Sequence, residues 1–160
     1  MNHKISNHDQ REMVTRTLMG IFETMLSMKL EALAEEALPD AQEHVIGSVG
    51  LGGEQVSGAV FLLVSEKFAH AMASAMLGSK PGEAIEESAI NDVVSEIANM
   101  LAGGVKSRLT DDGIPCCMST PSIIRGTSFL IETSPDVSRE KFLFRFEQER
   151  IGVELHLKLT

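Results

Sequence analysis

A chain of 160 residues, 43% hydrophobic and 23% charged, is long enough to bury one core without disulfide or metal staples. Its formal net charge of -9 repels polyanions, so nucleic acid is not an expected partner. The apolar runs are too short to span a membrane, the polar start MNHKISNHDQREM has no secretory core segment, and adjacent Cys116 and Cys117 give no disulfide framework; a reduced, cytoplasmic protein is the expectation.

Residues 1–9 read as a flexible N-terminus and 10–160 as a single domain. A long helix is predicted over 10–37, because Val14, Leu18, Ile21, Met25 and Met28 recur every three or four residues and Pro39-Asp40 would stop it. HVIGSVGL and QVSGAVFLLV are β-rich runs around Gly52-Gly53-Glu54, which predicts a hairpin. Ser65 then caps a short helix, EKFAHAMASAML, closed by Gly78.

A second long helix is predicted over 85–109, after the break at KPGEA and before Asp111-Asp112-Gly113. CCMST, TSFLIET, EKFLFRFEQ and IGVELHLKL follow as predicted strands. In the last two, Phe142, Phe144 and Phe146 share one face, as do Ile151, Val153, Leu155 and Leu157, with polar Arg145, Glu154, His156 and Lys158 as their alternates. That pattern predicts an antiparallel sheet with one buried face. The fold class is therefore α+β: a two-layer domain with two long helices on one face of an antiparallel β-sheet. Each half is a long helix followed by strands, but no residue-level repeat joins them.

Most candidate chemical motifs reduce to structure. Gly50, Gly52 and Gly53 match no phosphate-loop spacing, and a hairpin turn accounts for them better. The histidines at 3, 8, 44, 70 and 156 neither cluster nor pair with the cysteines at ligand spacing, so no metal site is expected. Cys116 and Cys117 read as packing residues in a strand, and the carboxylates of GEAIEES as the dipole-favoured first turn of the second long helix.

The stretch NDVVSEIANMLAGG, residues 91–104, is different. At about 100° per residue, with Asp92 at zero, Glu96 falls near ~40°, Asn99 near ~-20° and Gly103 near ~20°. The apolar Ile90, Val93, Val94, Ile97 and Leu101 lie on the other side. Glu96 and Asn99 are i,i+3 neighbours and can reach one target together. A solvated face explains Asp92 and Glu96, but it does not ask for Asn in mid-helix. Nor does it ask for Gly103-Gly104, which costs about 1 kcal/mol per glycine relative to Ala unless the helix kinks or ends there. Bare backbone on an exposed face lets another surface come close.

Asp92-x-x-x-Glu96-x-x-Asn99, then MLAGG, then Pro121 about two dozen residues later and STPSIIRGTSF around it, resembles the signature of the CheC/CheX/FliY phosphatases. The likeness covers about residues 86–133 well and the rest by order of elements. The first long helix has Glu23 but Leu26 where a second Asn would be needed, so the single motif is CheX-like.

The resemblance implies a CheC-like fold, a homodimer, and a phosphatase acting on the phospho-aspartate of a CheY-like response-regulator receiver. It implies that Asn99 orients the attacking water and Glu96 contacts the receiver's Lys, while Asp92 and Gly103 lie at the partner contact. No cofactor is then needed on this chain, because Mg²⁺ comes with the receiver. The alternative is a non-catalytic receiver-binding or assembly module, since flagellar motor-switch proteins share the fold without the chemistry. That module would be of the chemotaxis or flagellar-switch type, and the sequence leaves the pathway itself open.

Overall fold

The computed structural model describes residues 5–34, 43–80, 82–127 and 131–160. Three helices pack against a seven-stranded sheet. The chain order is α1 (Asn7–Leu26), β1 (Glu31–Leu33), β2 (His44–Gly52), β3 (Val56–Ser65), α2 (Glu66–Leu77) and α3 (Glu87–Asp111), then β4 (Cys117–Met118), β5 (Ser122–Gly126), β6 (Ser138–Phe146) and β7 (Glu149–Leu159). The sheet runs β1-β6-β7-β3-β2, and β2 carries both β4 and β5 along its outer edge. Every pairing is antiparallel. The fold class is as expected from the sequence, with α2 joining the two long helices on the covered face.

α1 starts at Asn7, inside the stretch expected to be flexible, because the Ser6 hydroxyl accepts the Asp9 amide. It stops at Leu26, well short of residue 37. Ser27 turns left-handed at φ 53°, and its amide bonds the Phe22 carbonyl. Residues 31–33 then pair with β6, Glu31 opposite Arg145 and Leu33 opposite Leu143. Edge pairing overrides the helix-forming composition of LEALAEE. Pro39-Asp40 lies outside the described residues.

The hairpin and α2 form as predicted, with Val45 opposite Val64, the Ser65 hydroxyl capping Phe68 and Gly78 closing at φ 66°. The strand predicted at TSFLIET falls partly outside the described residues. Residues 131–133 are outside any strand, 128–130 are not among the described ones, and a strand forms earlier, at SIIRG, which pairs with β2 (Ile124 opposite Ile46).

The core lies between helices and sheet. Leu18 and Phe22 of α1, Phe68 and Met72 of α2, and Val94, Ile97 and Leu101 of α3 meet Phe144, Ile151 and Leu155 there. α3 sits closest: a methyl group on Gly47 of β2 would lie 2.8 Å from the Ala98 Cβ.

The far face of the sheet is not the open polar surface that alternation suggests. Ile46, Leu63 and Leu143 are buried outside the main core, in one cross-strand row. Glu154 and His156 are also buried and pair through Oε1 and Nε2 at 3.2 Å, while the His156 Nδ1 is buried without a hydrogen-bond partner among the described residues. Asp136 pairs with Lys158 of β7, so the residues entering β6 come over this face. Polar alternates mark the second face of a strand, but they do not by themselves mark solvent.

Candidate functional site

α3 is the best-seated helix. It touches α1, α2 and the sheet, and its buried side carries Ile90, Val93, Val94, Ile97, Leu101 and Val105. One strip is left facing outward. Asp92 and Glu96 are exposed on it, and Asn99 and Gly103 are half-buried. The structure thus brings together the four residues that the sequence placed on one line. Among the described residues, none forms a hydrogen bond or ion pair with the side chains of Asp92, Glu96 or Asn99. One carboxamide and two carboxylates therefore point outward uncommitted.

The helix does not end at the two glycines. It continues to Asp111, where Arg108 Nε donates to Asp112 Oδ2 at 3.0 Å. The glycines divide their work. A Cβ on Gly103 would meet nothing within 4 Å, whereas one on Gly104 would lie 2.4 Å from Thr17 Cγ2 of α1. Gly104 therefore serves the α1–α3 contact, and Gly103 alone leaves open backbone beside Asn99 and Glu96.

Pro121 immediately precedes β5. Leu26, where a second Asn would have been needed, is a core residue. Cys116 is buried and Cys117 exposed on β4; burial pushes the Cys116 thiol up. Among the described residues, no three His, Cys, Asp or Glu side chains stand where they could hold a metal ion, and no helix is long and apolar enough to cross a membrane.

Sequence reasoning passed over Arg125 of β5. Its Nη2 and Nε donate to the Asn91 Oδ1 at 2.5 and 3.2 Å, and its Nη1 bonds the Glu66 carboxylate. Glu87 is a further 3.6 Å neighbour. No local signal marked it, since its partners belong to two other elements, α2 and α3.

Fold and site together define the class: a three-helix, antiparallel-sheet α+β domain whose α3 carries an outward Asp-Glu-Asn strip with no side-chain partner among the described residues. The family model described as "Chemotaxis phosphatase CheX" matches residues 45–147. The chain belongs to the CheX family.

Among solved structures, chemotaxis protein CheX from Vibrio vulnificus is similar over 98% of this chain and 100% of that one, at 25% identity and a TM-score of 0.79. A CheC-like superfamily protein from Shewanella sp. PV-4 is 27% identical, covering 96% of this chain and 99% of that one at a TM-score of 0.75. CheX in a CheX–CheY–BeF3–Mg²⁺ complex from Borrelia burgdorferi shares the fold at 18% identity and a TM-score of 0.68, covering 92% and 96%. A search of curated proteins finds no match.

Proposed function

We propose that this protein dephosphorylates the phospho-aspartate of a CheY-like receiver and that the α3 strip is its working surface. The observation that carries the reading is the uncommitted pair Glu96 and Asn99 beside open backbone at Gly103, in a chain of a chemotaxis phosphatase family. The Borrelia complex, which holds CheY and Mg²⁺ with its CheX, supports a receiver as partner and Mg²⁺ as the partner's ion.

An acyl phosphate is already reactive, so a catalyst need only position water and exclude wrong approaches. The Asn99 carboxamide accepts from and donates to one water, aligning its oxygen with phosphorus opposite the aspartyl oxygen. The new bond is water oxygen to phosphorus. The bond that breaks joins phosphorus to the receiver's carboxylate, which leaves with its electron pair as inorganic phosphate forms.

Glu96 pairs with the receiver's active-site Lys and sets the docking register. Asp92 contacts the partner at the rim, and Gly103 admits it closely. No covalent intermediate forms on this chain. Because the chain carries -9 and a phosphorylated receiver pocket is itself acidic, affinity rests on shape and the Glu96–Lys pair rather than on long-range attraction.

The test follows phosphate release from a phosphorylated CheY-type receiver with Mg²⁺, beside Glu96→Ala and Asn99→Ala. Acceleration that each variant cuts by roughly 100-fold, a size typical of losing one well-aimed polar group, supports the reading. Acceleration that persists in Asn99→Ala refutes the water-orienting role. Binding without acceleration makes this a receiver-binding module.

A further inference from the structure

We propose that Arg125 is a positioning residue that holds the first half of α3, and with it Glu96, in its working orientation. This rests on the phosphatase reading of the same helix. Arg125 belongs to β5, on the outer edge of the sheet, yet its guanidinium reaches both helix starts. Glu66 is the first residue of α2 and Glu87 the first of α3. A cation beside two helix N-termini is unfavourable unless carboxylates stand between, and here they do. The fork then gives two donors to the Asn91 Oδ1, at 2.5 and 3.2 Å.

Asn91 adjoins Asp92 in the chain and lies one face away from the exposed strip. A bond to its side chain fixes the rotation of α3 about its axis as well as its distance from the sheet. The apolar side seats the middle of the helix, where a Cβ on Gly47 would lie 2.8 Å from the Ala98 Cβ, and the fork adds a polar anchor near its start. Along the axis, Asn91 is about 7.5 Å from Glu96 and about 12 Å from Asn99. Loosening the clamp therefore disturbs Glu96, which sets docking, more than Asn99, which orients water.

Arg125→Ala and the milder Asn91→Ala are expected to raise KM for the phosphorylated receiver roughly tenfold while kcat changes less than about threefold. Arg125→Lys keeps the charge but not the fork, and should fall between wild type and Arg125→Ala. Amide hydrogen exchange on the free protein supplies the second readout. Faster exchange over residues 87–99 with 100–111, α1 and β3 unchanged supports the clamp. Unchanged exchange over 87–99, or a loss confined to kcat, overturns it. If the wild type is inactive on receivers, the phosphatase reading fails, and the exchange result alone decides whether Arg125 holds the helix.

Discussion

Gly103 and Gly104 are neighbours of the same type, and alanine at each should act in opposite directions. Both replacements remove the backbone freedom of a glycine in mid-helix, a gain of about 1 kcal/mol. At 103 nothing opposes the gain, since the new methyl group meets no atom within 4 Å. At 104 the methyl would stand 2.4 Å from Thr17 Cγ2, 3.1 Å from its Oγ1 and 3.3 Å from its Cβ. Ordinary carbon contacts lie at about 3.5–4.0 Å, so α1 must shift by about an ångström if Thr17 keeps its rotamer. Rotating Thr17 relieves only part of this, because its Cβ at 3.3 Å is itself tight and α1 must still give by a few tenths of an ångström.

Overpacking of this kind costs about 1–3 kcal/mol. Gly104→Ala should therefore lose about 1 kcal/mol net while Gly103→Ala gains about as much. The gap of about 2 kcal/mol corresponds to roughly 4–8 °C in melting temperature. Urea and thermal unfolding measure it. Adding Thr17→Ala should remove most of the penalty of Gly104→Ala, with a coupling of about 1 kcal/mol in the double-mutant cycle. Equal stability of the two alanine variants, or a coupling near zero, would refute the packing argument. The docking role of Gly103 is read separately: the more stable Gly103→Ala should have a higher KM for the phosphorylated receiver, and unchanged kinetics would remove Gly103 from the interface.

Two further outcomes can be checked on the isolated protein. Cys117 is exposed while Cys116 is buried with its thiol pushed up, so a thiol reagent near pH 8 should label Cys117 alone, as peptide mass spectrometry reads, and label Cys116 only after denaturation. At the start of α1 the Ser6 hydroxyl donates to Asp9 Oδ2 at 2.7 Å, chiefly through which the Asp9 carboxyl is held below its usual range. A lowered folded value means stability that is present above the unfolded carboxylate pKa and lost as pH falls through the folded one. The stability difference between wild type and Ser6→Ala should thus narrow below about pH 4, leaving the part due to the Ser6 cap on the Asp9 amide; a difference that widens on acidification has the wrong sign.

What the sequence disclosed depended on how much of each signal was local. The hairpin, α2 and the extent of α3 were legible because caps, turn glycines and periodicity agree at each boundary. The end of α1 was not. LEALAEE favours helix by composition, and only β6, over a hundred residues away, makes Glu31–Leu33 a strand; the Arg145–Glu31 contact at 2.6 Å belongs to that pairing. SIIRG was not read as a strand, because its pairing depends on the open edge of β2, more than seventy residues earlier in the chain. Glu154 and His156 misled because two polar groups that pair with each other can be buried together, here with the His156 Nδ1 left over. The α3 strip was legible because its anomaly is local: an Asn and a glycine where helix propensity alone would place neither. The Arg125 clamp was not, since its partners lie in two other elements.

The same contrast supports the proposal that this strip is the working surface. Several carboxylates elsewhere, exposed or half-buried, are engaged: Glu31 with Arg145, Asp112 with Arg108, Asp136 with Lys158 and Glu149 with Lys67. Such surface pairs add little stability, but their side chains already have partners. Asp92, Glu96 and Asn99 have none among the described residues, although α3 is the helix whose backbone is held from three directions, by α1, α2 and the sheet. A rigid support with uncommitted polar ends is the arrangement that preorganised chemistry requires, because precision comes from the scaffold while the groups stay available. In the proposed reaction the receiver brings its own Mg²⁺ and phosphoryl group, so what remains for this chain is geometry. A stiff helix with one carboxamide, one carboxylate and a bare stretch of backbone is sufficient to supply it.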